Sequence, residues 1–153
     1  MKPLAEFLLP DEEAGRRFGA RLGLCLRPGM TVLLQGPVGA GKSHLARAAI
    51  RALAGEAVDV PSPTFTLVQT YETPQGEVWH ADLYRLGDAG EVAELGLADA
   101  MGRDILLIEW PDRLGDYTPT DAITVTLAYE GEGRRLAISG AAEGLLACLE
   151  GSA

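Results

Sequence analysis

Residues 30–44 read MTVLLQGPVGAGKSH, an apolar run that stops at a loop containing three glycines and one of the chain's two lysines. MTVLLQG is a short apolar run rich in strand formers, and it ends where the glycine loop begins. Downstream, SHLARAAIRALAG places Leu45, Ala49 and Leu53 on one helical face, and Gly55 punctuates its end. The order is therefore strand, glycine loop, helix.

The loop fits the pattern G-x-x-x-x-G-K-[ST] through Gly36, Gly41, Lys42 and Ser43. Glycines allow the chain to wrap closely around a phosphate, and the following helix turns its positive end toward it. The segment Gly36, Val38, Gly39, Ala40, Gly41, Lys42, Ser43 and His44 is accordingly expected to hold a nucleoside triphosphate. Lys42 supplies a point charge for the β- and γ-phosphates, and the Ser43 hydroxyl a ligand for magnesium. Pro37 has no N–H to donate, but it precedes the residues that would do the cradling.

Hydrolysis needs an acid near the metal. DILLIEW is a continuous apolar run ending at Glu109, which a central strand would deliver to the mouth of a sheet. HADLYRL supplies Asp82, suited either to organising metal-bound water or to orienting an attacking water. Thr64 lies in the loop after the helix, where nucleotide switches place a hydroxyl that senses the γ-phosphate. No [NT]-K-x-D string occurs, which favours ATP over GTP, and no segment is long enough for a kinase lid.

The remaining composition narrows the function classes. The chain has 153 residues, 47% of them hydrophobic, and reads as one α/β domain spanning residues 1–153. Its net charge is −9 and it has no dense basic cluster, so direct nucleic-acid binding is not expected. Eleven of the thirteen basic residues are arginine, which makes the lysine in the loop conspicuous. MKPLAEFLLPDEE breaks at Pro10 into acid, and no long apolar run follows, so neither a membrane span nor a secretory signal is expected and a cytoplasmic location is. Cys25 and Cys148 lie far apart in helix-like apolar contexts and are expected to be buried free thiols. His44 and His80 lack a companion at metal spacing, and no zinc is inferred.

Elsewhere, PDEEAGRRFGARLGLCLRPG predicts an amphipathic helix with Asp11 as its N-cap and Pro28-Gly29 as its stop. VDVPSPTFTLVQTYE predicts a proline-punctuated loop leading into an alternating strand, which the turn TPQG pairs with EVWHADLYRL as a hairpin, and DAITVTLAYE and RRLAISG are expected to form another around GEG. GEVAELGLADAM predicts a helix, and AAEGLLACLE a closing one. The sum is a three-layer P-loop NTPase-like α/β domain with a mixed, mainly parallel sheet and antiparallel hairpins.

Taken together and in this order, GPVGAGKS, SPTFTLVQTYE, HADLYRL and LIEWPDRL resemble the TsaE family, P-loop ATPases of tRNA threonylcarbamoyladenosine modification. The resemblance spans nearly the whole chain. It implies a weak ATPase that uses ATP and magnesium and works with the proteins TsaD and TsaB at adenosine 37 of tRNA. It further implies that Lys42 and Ser43 are the phosphate and magnesium ligands, Glu109 a magnesium-binding acid and Asp82 an acid required for activity. Thr64 falls in the family's switch-like loop, Trp110 belongs to the signature beside Glu109, and Asp11 or Glu12 with Arg134 would close over the adenosine. Pro37 stands where the family often has an acid, and Ser43-His44 where it often has two threonines. Two other readings of the loop stay open, a small-molecule phosphotransferase and a nucleotide-dependent switch without turnover.

Overall fold

A computed structural model of the chain describes residues 3–63 and 66–151. Its centre is a seven-stranded mixed sheet in the order β1-β7-β6-β2-β5-β4-β3. The strands are β1 (Ala5–Leu9), β2 (Thr31–Gln35), β3 (Val68–Thr73), β4 (Gly76–Asp82), β5 (Ile105–Glu109), β6 (Ile123–Glu130) and β7 (Gly133–Gly140). β4, β5, β2 and β6 run parallel to one another, while β3, β7 and β1 add antiparallel partners outside them. Both expected hairpins are present as β3–β4 and β6–β7.

Strand alternation divides the core between the two faces of the sheet. Val32, Leu34, Ile105 and Leu107 face a cluster shared with α1 (Glu12–Cys25), α2 (Lys42–Ala54) and α5 (Glu143–Gly151). Leu33, Leu106 and Ile108 face the opposite cluster, under α3 (Glu91–Glu94), α4 (Leu97–Ala100) and a 3-10 segment at Pro111–Tyr117. Helices on both sides make three layers, and they account for the unbroken apolar sequences of β2 and β5.

α1 begins as its sequence predicts, with the Asp11 carboxylate accepting from Ala14 N at 2.8 Å. It packs against α2 through a glycine, Gly23, where an added Cβ would stand 2.8 Å from the Ala49 Cα. Backbone cannot retreat as a flexible side chain can. Gly23→Leu is therefore expected to lower unfolding stability by at least about 3 kcal/mol, whereas Gly144→Ala in α5 should cost nothing measurable. Among the described residues, nothing beyond its chain neighbours and its own helix backbone would stand within 4 Å of a Cβ at Gly144. Urea denaturation of the two variants beside the parent reads the contrast.

Three features differ from expectation. An amino-terminal edge strand, β1, pairs antiparallel with β7. The helix expected over GEVAELGLADAM is instead two single-turn helices, divided at Gly96. Gly96 takes the left-handed conformation, φ 87°, which favours glycine, and a Cβ there would also stand 3.2 Å from the Trp79 ring. Cys25 and Cys148 are joined by a disulfide, with Cα atoms 5.7 Å apart, and are not free thiols. The packing of α5 on α1 brings together two positions 123 residues apart in sequence. Among the described residues no helix is long and apolar enough to cross a membrane.

Candidate functional site

β2 ends at Gln35 in the centre of the sheet, and the loop 36–41 carries the chain to the first turn of α2. Gly41 is the N-cap, with φ 106°, and it has no side chain to cap the first amides of α2. Such amides, with the helix dipole behind them, attract an anion.

The carbonyl groups of the loop are engaged from two sides. Arg134 on β7 donates from Nε to Ala40 O at 3.1 Å and from Nη2 to Gly39 O at 3.3 Å. Its guanidinium lies 4.5 Å from the ring centre of Tyr129, whose hydroxyl donates to Val38 O at 2.7 Å. On the other side Lys42 Nζ donates to Gly36 O and, at 3.4 Å, to Pro37 O. The protein's own side chains thus hold the carbonyl oxygens from Gly36 to Ala40.

At the mouth of the parallel strands the acids meet the loop. Ser43 Oγ donates to Glu109 Oε1 at 2.8 Å, and the other carboxylate oxygen, Oε2, accepts from His80 Nε2 at 2.7 Å. Asp82 stands opposite Glu109 in the β4–β5 register, and its Oδ1 accepts from Tyr84 N at 3.0 Å. Glu109, Asp82, Lys42 and His80 are all buried. Burial lowers the Lys42 pKa, and the charges of Glu109, Asp82 and Asp112 oppose that shift.

Trp110 follows Glu109 in a left-handed conformation, φ 57° and ψ 54°, uncommon for a bulky side chain. Its ring lies beneath the Lys42 ammonium, 3.8 Å from Nζ to the ring centre, and packs on Tyr84 with centroids 5.1 Å apart. The turn costs roughly 1–3 kcal/mol, and this surrounding structure holds it.

A cavity of about 230 Å³ opens on the opposite side of the loop, bounded by Asp11, Glu12, Gly39–Gly41, His44 and Arg134. His44 Nε2 lies 3.2 Å from Glu12 O, which ties the start of α1 to the first turn of α2. The expected residues thus form two groups, Lys42, Ser43, Asp82 and Glu109 at the strand ends, and Asp11, Gly39, Ala40, Gly41, His44 and Arg134 around the cavity. Gly36 and Val38 contribute through their carbonyls, and the Val38 side chain points into solvent. Thr64 lies outside the described residues.

His80 and Tyr129 were not among the expected site residues. The strand period could have found His80, two residues before Asp82 and so on the same sheet face. Only the pairing of β6 with β7, which sets Tyr129 opposite Arg134, reveals Tyr129.

The donor set can be tested against magnesium. Among the described residues no three His, Cys, Asp or Glu side chains gather as metal ligands, but Ser43 Oγ and Glu109 Oε1 are adjacent hard oxygens beside the anion-attracting amides. Magnesium in nucleotide sites is held in this way, by one or two protein oxygens together with phosphates and water. The residues fit the ion.

Comparison with known proteins gives the following similarities. The family model described as threonylcarbamoyl adenosine biosynthesis protein TsaE matches residues 9–137. The tRNA threonylcarbamoyladenosine biosynthesis protein TsaE of Rickettsia bellii is 38% identical over 132 residues, covering 86% of this chain and 92% of the relative. The protein of the same name from Haemophilus influenzae is 34% identical over 142 residues, covering 89% of each. Among solved structures, YdiB of Bacillus subtilis superposes with a TM-score of 0.73 over 96% of this chain and 92% of that one, at 17% identity. At that identity the likeness concerns the fold.

Proposed function

The chain belongs to the TsaE family, and we propose from that membership and the site geometry that it binds and slowly hydrolyses ATP in support of threonylcarbamoyladenosine formation on tRNA. A part in threonylcarbamoyladenosine biosynthesis is the family's role. The finer reading is that an ATP cycle in this chain is coupled to TsaD and TsaB, which carry out the transfer at adenosine 37. The observation that carries it is the 2.8 Å contact between Ser43 Oγ and Glu109 Oε1 beside the buried Lys42.

In this reading the amides of residues 39–44 bind the phosphates, and Lys42 leaves the Gly36 and Pro37 carbonyls to meet the terminal ones. Ser43 and Glu109 hold magnesium, which when bound neutralises charge on the β- and γ-phosphates. Asp82, on the adjacent strand end, orients water for attack. Asp11, His44 and Arg134 border the adenosine. The acidic chain needs no grip on RNA, because its partners are proteins.

Catalysis by the isolated chain is expected to be slow, because no partner is there to complete or license it. Phosphate release should be measured with ATP and magnesium, first alone and then with TsaB and TsaD, alongside a search for any phosphorylated small molecule. A weak basal rate that changes with the partners is expected. An unchanged rate, or partner-independent turnover on the order of 1–100 per second, would contradict the coupling. A phosphorylated product formed in step with ATP loss would favour a phosphotransferase instead.

Arg134→Ala tests the far side of the loop. It removes the donors to Gly39 and Ala40 and the partner of the Tyr129 ring. ATP affinity is expected to fall about 10-fold, the equivalent of one charge-assisted hydrogen bond, with its magnesium dependence unchanged. Calorimetric titration of the variant checks both parts.

A further inference from the structure

His80 belongs to the middle of a buried strand, where an aliphatic residue would pack at lower cost. It is only 1% exposed, with Val78 and Ala81, both fully buried, beside it on β4. The ring makes one polar contact, from Nε2 to Glu109 Oε2 at 2.7 Å, and Nδ1 is buried with no hydrogen-bond partner among the described residues. A carboxylate only accepts, so Nε2 carries the proton and donates it. Desolvating an imidazole for packing alone is unfavourable, and the single return on that cost is the Glu109 contact.

The sheet register explains how the contact arises. Asp82 pairs with Glu109 and His80 with Leu107 across the parallel strands β4 and β5. His80, Asp82, Leu107 and Glu109 therefore share one face, and the His80 side chain leans along the strands to reach the Glu109 carboxylate from below. The two carboxylate oxygens are thereby separated in role. Oε2 is tied to His80, while Oε1 takes the Ser43 hydroxyl.

We propose that His80 is a positioning residue for the metal site, fixing Glu109 through Oε2 so that Oε1, beside Ser43 Oγ, is the oxygen offered to a divalent cation. The inference rests on the reading of Ser43 and Glu109 as magnesium ligands. Without His80 the carboxylate loses its anchor and turns about its terminal bond, and metal affinity falls while the phosphate-binding loop is untouched. Outer partners that orient a ligand in this way are commonly worth 10- to 100-fold in metal affinity.

The test compares His80→Leu, His80→Gln and His80→Asn with the parent by calorimetry. ATP binding is followed as free magnesium is varied, and ADP binding is measured separately in EDTA. The amide nitrogen of glutamine can occupy the place of Nε2, whereas that of asparagine falls short and leucine has none. Leu and Asn are expected to raise the magnesium concentration for half-maximal effect at least about 10-fold, with Gln within about threefold of the parent. ADP binding in EDTA should be the same in all four proteins.

Parent-like magnesium dependence in Leu and Asn, equal impairment in Gln and Asn, or a parallel loss of ADP affinity in EDTA would overturn the proposal. Should His80→Leu fail to fold, the Gln and Asn pair decides it alone. A parent protein whose ATP binding ignores magnesium would overturn the metal-site reading itself, and this inference with it.

Discussion

Lys42→Ala is expected to weaken ATP binding roughly 10- to 150-fold, the range that a charge-assisted hydrogen bond of about 1.5–3 kcal/mol implies. Lys42 is buried between its own loop carbonyls and the Trp110 ring, and its ammonium is the positive side chain placed among Glu109, Asp82 and Asp112. Removing it leaves three acids near the proposed phosphates with less opposing charge, so repulsion adds to the lost contact. Folding should survive, because the side chain removed lies in the first turn of α2 and the two carbonyls its ammonium releases belong to the loop, at half-buried Gly36 and exposed Pro37. Calorimetric titration of ATP in magnesium measures the change. An affinity equal to the parent's would remove Lys42 from the site.

Glu109→Gln is expected to separate binding from hydrolysis. The amide has nearly the shape of the carboxylate and can still pair with Ser43 Oγ and with the His80 ring, which is able to move its proton to the other nitrogen. ATP binding should stay within about 10-fold of the parent, since loop amides and Lys42 supply most of it. Hydrolysis should fall by on the order of 100-fold or more, about 2.7 kcal/mol of barrier, because the charge that holds magnesium is gone. Single-turnover phosphate release at saturating ATP reads the chemical step. Parent-like hydrolysis would remove Glu109 from the site, and a loss of ATP binding well beyond 10-fold would mean that binding and hydrolysis are not separable at this residue.

Much of this site was legible in the sequence because it depends on local rules. A strand, a glycine loop and a helix follow one another in a continuous stretch, and an acid at the end of ILLIE has to emerge at the strand mouth. The two hairpins were equally local, since their turns lie between alternating runs. What escaped the sequence depends on contacts between distant segments. β1 is short, and Leu8 on its outer face is 60% exposed, which blurs the alternation that marks a strand. Its identity comes from pairing with β7, more than 120 residues on.

The disulfide escaped for the same reason, since the Cys25 and Cys148 spacing carries no signal until α5 is laid on α1. The apolar period of GEVAELGLADAM continues across Gly96, and only the left-handed backbone at that residue shows that the helix breaks there. In the sequence His80 has no companion at metal spacing. Its true companion is a carboxylate on the neighbouring strand, 29 residues away.

Calorimetric titration of ATP into the parent protein, in magnesium and again in EDTA, decides whether Ser43 and Glu109 make this loop a magnesium-dependent ATP site. One ATP per chain should bind in magnesium, and withdrawal of the metal should weaken it at least about 10-fold. No binding at all, or binding of the same strength in magnesium and in EDTA, would contradict the account.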